Sequence, residues 1–135
     1  MVRIDVVYEG ELHASSVHLP SRVALETDAP VDNQGRGESF SPTDLLATSL
    51  ATCMLTTMGI VAQREGWAIE GATAAVEKHM GAGPRRVARL FVGLSMPAGP
   101  SSEARTVLED TARTCPVAQS IHPDIQLDLE FDWSS

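Results

Sequence analysis

The residues best suited to covalent chemistry are the two cysteines, Cys53 and Cys115. A thiolate attacks peroxides and disulfides, and its oxidation runs through a sulfenic acid. They stand 62 positions apart, which excludes a Cys-x-x-Cys redox motif and a zinc knuckle, and two cysteines are too few for a secreted disulfide scaffold. If they act together, folding must bring them together. Cys53 falls in a strongly apolar stretch, where a free cysteine usually packs as a small hydrophobe. It lies eleven residues past the first helical position, Pro42, too far for the helix dipole to support a thiolate, so a reactive Cys53 needs a nearby cation. Cys115 precedes Pro116 and is placed to cap a short helix, where backbone N–H groups lower a thiol pKa, although a capping role alone also accounts for it. His13, His18, His79 and His122 show no H-x-H or H-x-x-x-H spacing, so no metal and no cofactor are expected. Met54, Met58 and Met80 are read as core filling.

The element that carries Cys53 runs from Phe40 to Gly66, FSPTDLLATSLATCMLTTMGIVAQREG. Ser41 suits the N-cap, Pro42 the first helical position, and Asp44 three residues after the cap completes a capping box, with Phe40 and Leu45 spaced as a hydrophobic staple. Gly66 suits the stop. Leu45, Leu46, Leu50, Cys53, Met54, Val61 and Ala62 recur mostly at spacings of three and four, which predicts one long, mostly buried helix over Pro42–Glu65. At about 1.5 Å per residue it spans roughly 36 Å, the width of a small domain.

Three alternating runs precede it: residues 2–8, Leu12 to Leu19 and Arg22 to Thr27. They read as strands of a meander, followed by a Gly/Asn/Asp/Ser-rich loop from Asp28 to Ser39. After Gly66 the period returns to two in WAIEGATAAVEKHM, a turn at Gly81-Ala82-Gly83-Pro84 folds the chain back, and Val87 to Met96 supply the partner strand. A second helix opens at Pro100-Ser101 and breaks at Thr114-Cys115, because the residue before a proline is pushed out of the helical region. A short helix, PVAQSI, follows, and IQLDLEFDW forms the last strand. The order βββ-α-ββ-αα-β predicts a single α+β domain over 1–135 in which antiparallel sheets pack around the long helix.

A formal charge of −8 argues against nucleic acid or an anionic membrane surface as partner, since either needs a basic face. The N-terminus has no apolar signal region, and Thr, Ser and Gln interrupt the central helix short of a membrane span. The expected compartment is the cytoplasm.

Three stretches, SPTDLLATSLATCM, PRRV and CPVAQSI, closely resemble the OsmC/Ohr family of osmotically induced and organic-hydroperoxide-resistance proteins, and the likeness covers nearly the whole chain. The resemblance implies an intertwined homodimer, with two curved sheets around paired central helices and two active sites at the interface. It implies a thiol peroxidase acting in oxidative-stress defence: Cys53 matches the peroxidatic cysteine and Cys115 the resolving one. Cys53 would form a sulfenic acid, Cys115 would capture it as a disulfide, and a dithiol reductant, a lipoylated protein in the family's peroxidases, would regenerate both thiols. An apolar pocket beside Cys53 would favour organic hydroperoxides over hydrogen peroxide. The family's peroxidases carry an arginine in the turn between the first two strands, where this chain reads Tyr8-Glu9-Gly10-Glu11, and a glutamate where this chain has Thr43. The chain therefore resembles a divergent OsmC-like branch, with Arg36 in Gly35-Arg36-Gly37-Glu38 as the candidate replacement cation. The alternative function is a dimer that binds an apolar small molecule without peroxidase turnover.

Overall fold

The computed structural model describes residues 1–134. The chain divides into two compact units, Met1–Leu46 and Ala47–Ser135, with the boundary inside the long helix. The first unit is a three-stranded antiparallel meander of β1 (Ile4–Gly10), β2 (His13–His18) and β3 (Val23–Asp28). Register sets Ile4, Val6 and Tyr8 on the same face as Val23 and Leu25, and all five are exposed in the single chain, from 46% for Leu25 to 67% for Tyr8. A sheet this small needs a covered apolar face to be stable, so this one lacks its cover within its own unit.

The β1–β2 turn is unusual for its residues. Gly10, Glu11 and Leu12 all have positive φ, at 86°, 55° and 62°, in a hairpin that favours Asn-Gly at its two central positions. A Cβ in that region costs about 1–2 kcal/mol, and glycine's extra unfolded-state entropy costs about 0.5–1. Leu12→Gly should therefore stabilise the chain by about 0.5 kcal/mol, read as a higher urea midpoint at unchanged slope. The loop after β3 is anchored at the buried Asp28, which is 4% exposed. The Asp28 N–H donates to the Phe40 carbonyl (3.1 Å), its Oδ2 accepts the Glu38 N–H (3.2 Å), and Ser39 donates to the Glu26 carbonyl (3.0 Å). Inside this loop the chain passes so close to Ala29 that a Cβ on Gly35 would lie 1.7 Å from the Ala29 oxygen, so Gly35 has no substitute without rearrangement.

Helix α1 spans Pro42–Glu65 as predicted. The capping box closes in both directions: the Asp44 N–H donates to Ser41 Oγ (3.0 Å) and the Ser41 N–H to Asp44 Oδ2 (2.9 Å), satisfying two donors that the first turn would otherwise orphan. Phe40, spaced to staple against Leu45, is left 53% exposed. At the other end Gly66 turns left-handed (φ 78°) and the Trp67 N–H reaches the Ala62 carbonyl (2.8 Å), a Schellman closure.

Two expectations for this helix need correction. It is not mostly buried: one stripe, Ala47, Leu50, Ala51, Met54, Met58 and Ala62, lies in the core, while Thr52, Thr56, Ile60 and Gln63 face out. Its mean hydropathy of 1.8 over 18 residues makes it long and apolar enough, by composition, to cross a membrane. The hydroxyl residues that were expected to interrupt the run are outweighed by the Leu, Ala, Met, Val and Ile around them.

The second unit contains β4 (Thr73–Gly81), β5 (Arg86–Ser95), α2 (Ser102–Arg113), α3 (Pro116–Ser120) and β6 (Gln126–Asp132). The element order is the one predicted. One pairing differs: β4 and β5 form the expected hairpin, but β6 runs parallel to β5, in register Leu90↔Leu127, Val92↔Leu129 and Leu94↔Phe131. The two helices between them return the chain to the end of the sheet where β5 began, and a crossover of that kind delivers a parallel strand. Leu90, Val92, Leu94 and Met96 are fully buried with Met54, Met58 and Leu108. Side-chain clamps fasten α2 to the β6 end. Trp133 Nε1 donates to Glu109 (2.8 Å), Arg105 lies 5.4 Å from the Trp133 ring centre, and Arg113 lies 5.2 Å from that of Phe131.

Candidate functional site

Within the second unit the fold brings together the two cysteines that the sequence separates by 62 positions. Both are free thiols, Cys53 half-buried on α1 and Cys115 only 1% exposed at the start of α3. Cys53 is near enough to act on the Cys115 thiol, which it pushes upward. Cys53 is fixed by the helix: its neighbours Leu50 and Met54 are fully buried, so its turn cannot rotate away from the core, and its carbonyl accepts the Thr57 hydroxyl (2.8 Å).

Cys115 is positioned by the proline that follows it. Pro116 forces Cys115 to extended backbone (φ −62°, ψ 155°), which ends α2 and swings the thiol to the mouth of α3. There Sγ accepts the Ala118 N–H at 3.5 Å, the predicted N-cap. The expected electrostatic result does not follow. Burial pushes the Cys115 thiol above its ordinary value of 9.0, the Ala118 and Val117 N–H groups pull it down by less, and the adjacent Cys53 adds to the rise. Two N–H dipoles do not repay the loss of water around an anion at a 1% exposed site.

The sign of that shift fixes a pH dependence. Below pH 9.0 both folded and unfolded chains hold the Cys115 proton. Above it the unfolded chain releases the proton first, so this group's contribution to stability is lost as the pH rises toward the folded value. Iodoacetamide labelling of Cys115 in the folded, reduced protein should accordingly be slow at pH 8 and keep accelerating above pH 9, while the urea-unfolded chain labels at the rate of a free thiol. Quantitative peptide mapping over pH 7–10.5 reads both.

Arg36 is placed in the first unit, where its guanidinium forms an ion pair with Glu11. The loop that carries it is tied at both ends by the Asp28 bonds described above. Its role as a replacement cation beside a thiolate stays an expectation from the sequence and does not arise from its contacts.

The match to known proteins is consistent over nearly the whole chain. The family model described as OsmC-like protein matches residues 35–130. A solved structure from Psychrobacter arcticus 273-4, named for osmotic stress induction and a detoxification response, is 49% identical, with a TM-score of 0.92 over 97% of this chain and 96% of that one. An organic hydroperoxide resistance protein OsmC from Legionella pneumophila superposes with a TM-score of 0.74 at 19% identity, over 98% of this chain and 96% of the other. One from Elizabethkingia anophelis, crystallised with thiocyanate, gives 0.78 at 14% identity, over 98% and 96%. No curated protein sequence matches the chain.

Proposed function

The chain belongs to the OsmC-like family, whose members include osmotic-stress and organic hydroperoxide resistance proteins, and from that membership we propose that it is a cysteine-based peroxidase for organic hydroperoxides. The observation that carries the reading is the proximity of Cys53 to Cys115, close enough for one thiol to shift the other, since a resolving cysteine must reach the sulfenic acid before a second peroxide does. Cys53, the less buried of the two cysteines, attacks the terminal oxygen of the hydroperoxide. The O–O bond breaks, the alkoxide leaves and takes up a proton as the alcohol, and Cys53 keeps the oxygen as a sulfenic acid. Cys115 then attacks that sulfur, its proton leaves with the hydroxide as water, and a Cys53–Cys115 disulfide remains. A dithiol reductant, such as a lipoylated protein, returns two electrons and two protons by exchange. The buried, high-pKa state of Cys115 suits this order, because a resolving thiol held protonated does not compete with Cys53 for the peroxide.

The working unit we propose is a homodimer. The uncovered face of β1–β3, with Ile4, Val6, Tyr8, Val23 and Leu25, and the outward Ile60 of α1 supply apolar surface for a second copy. Sedimentation at micromolar concentration should give the mass of two chains; a monomer would remove the shared-site part of this reading. The test of the chemistry is intact-mass and peptide mapping after one equivalent of cumene hydroperoxide. Loss of two hydrogens, mapped to a Cys53–Cys115 bridge and faster than with hydrogen peroxide, supports the peroxidase; survival of both thiols defeats it.

One observation favours the second reading, an apolar ligand carrier. A cleft of about 370 Å³ near the end of α1 is lined by Leu55, Ala62, Trp67 and Ile69 together with the polar Gln63 and Glu70, a size suited to a small, mostly apolar molecule with a polar end. Native mass spectrometry of freshly purified protein separates the two: a co-purifying ligand on a chain with peroxide-inert thiols would favour the carrier.

A further inference from the structure

The first unit holds a separate constellation that sequence spacing conceals. Glu9, His13 and Glu26 bring one donor atom each to within 4.8 Å of one another. His13 Nε2 lies 3.2 Å from Glu26 Oε1 and 3.5 Å from Glu9 Oε1. On the other side of the ring, Nδ1 lies 2.6 Å from Oδ1 of Asp28, the buried carboxylate whose other oxygen is held by the Glu38 N–H. Nε2 is within hydrogen-bond distance of Glu26; an ion that displaces the Nε2 proton leaves the remaining proton on Nδ1, donated to Asp28, and the imidazole then presents the Nε2 lone pair between the two glutamates. This is the orientation that an outer-shell carboxylate imposes on a metal-ligating histidine.

The strand register explains how the group assembles. His13 pairs directly with Asp28, and Glu26, opposite Ser15, stands diagonally from His13 on the same face. A bulge between Tyr8 and Gly10 sets Glu9 against His13 as well, as bulges re-aim side chains. The separations also fit an ion. Three donors at about 2.0–2.1 Å from a tetrahedral zinc would stand roughly 3.3–3.4 Å apart; the two separations from His13, 3.2 and 3.5 Å, bracket that spacing, and the two glutamate oxygens lie within 4.8 Å of each other, near enough to close on an ion by a side-chain adjustment. The charge is unbalanced in the same sense. A cavity of about 390 Å³ here is lined by five carboxylates, Glu9, Glu11, Glu26, Asp28 and Glu38, against one guanidinium, Arg36, which Glu11 already engages.

We propose that this cup binds a first-row divalent cation of the zinc type, with Glu9, His13 and Glu26 as ligands, Asp28 orienting His13, and one coordination position left to water. A nitrogen and two carboxylate oxygens form a borderline-to-hard donor set, distinct from the thiol pair in the second unit. The site contributes to folding, because the three ligands come from three strands and converge only in the native meander.

Calorimetric titration of Zn²⁺ tests it, performed on the full chain carrying Cys53→Ser and Cys115→Ser so that thiolates cannot contribute. The expected result is one equivalent bound, with a melting temperature that rises with zinc. His13→Ala should remove binding, Glu26→Gln should weaken it by at least about tenfold, and Asp28→Asn by about tenfold through loss of the ring's anchor. Glu26 is 63% exposed, so its substitution tests ligation even where His13→Ala disturbs the hairpin. Absence of zinc binding, or binding unchanged by Glu26→Gln and His13→Ala, overturns the proposal and leaves His13 as a protonated bridge between carboxylates.

Discussion

Cys53→Ser abolishes hydroperoxide consumption, with a fall of at least about three orders of magnitude, the scale on which deletion of a catalytic nucleophile acts. Serine differs from cysteine by one atom, and Cys53 is only half-buried, so the melting temperature should hardly move; the loss is chemical. Cys115→Ser is the informative partner. It leaves the first step intact, so one equivalent of alcohol per chain appears in a burst, and Cys53 remains as a sulfenic acid that dimedone traps and a mass spectrum locates. Turnover then slows, because the dithiol reductant must reach and condense with the Cys53 sulfenic acid itself before it can exchange, instead of meeting a ready disulfide. Equal steady-state rates for wild type and Cys53→Ser would show that the proximity of the two thiols is packing and no more.

Asp28→Ala should lower stability by about 2 kcal/mol, a large share of the total for a domain of this size. Two donors depend on that carboxylate, the His13 imidazole at 2.6 Å and the Glu38 N–H at 3.2 Å, and at a 4% exposed position water has little access to replace it. Alanine leaves both donors unsatisfied. Asparagine keeps an oxygen for the Glu38 N–H and should cost about half as much. Urea unfolding measures both, and limited proteolysis shows where the loss falls: the loop from Ala29 to Phe40 is closed by bonds at Asp28, so it should become the first site of cleavage. Wild-type stability in Asp28→Ala would mean that the loop is held by other contacts.

How far the sequence carried these conclusions depended on whether the relevant interaction was local. The capping box at Ser41 and Asp44, the stop at Gly66 and the cap at Cys115 each depend on residues within four or five positions, and each appears in the structure as written in the chain. The parallel pairing of β6 with β5 is a long-range property. The alternation of residues 125–133 specifies which face is buried but says nothing of strand direction. The Cys115 thiol failed for a related reason: the capping N–H groups are legible in the sequence, whereas the burial that outweighs them is assembled from the rest of the fold. The thiol pair itself came from resemblance to a family and not from spacing. The cup around His13 was invisible to motif reading because its donors are spaced 9, 13 and 26, and only the bulge and the hairpin register collect them. A signal was nevertheless present: charged residues at 26 and 28 alternate in step with His13 across a turn, which is what one face of a hairpin requires.

The parallel placement of β6 also orders events in time. The meander of residues 4–28 and the β4–β5 hairpin close through short turns, whereas β6 can add to β5 only after thirty intervening residues, 96–125, have crossed back. Contacts of greater sequence separation form more slowly, because chain entropy is lost before they reward it. Cys115 rides on that crossover. Its meeting with Cys53 is therefore among the last events of folding, and a nascent or partly folded chain has two ordinary, separated thiols. Peroxide reactivity of the pair marks completion of the second unit, so the rate at which a refolding sample acquires the ability to form the bridge is a clock for docking of the final strand.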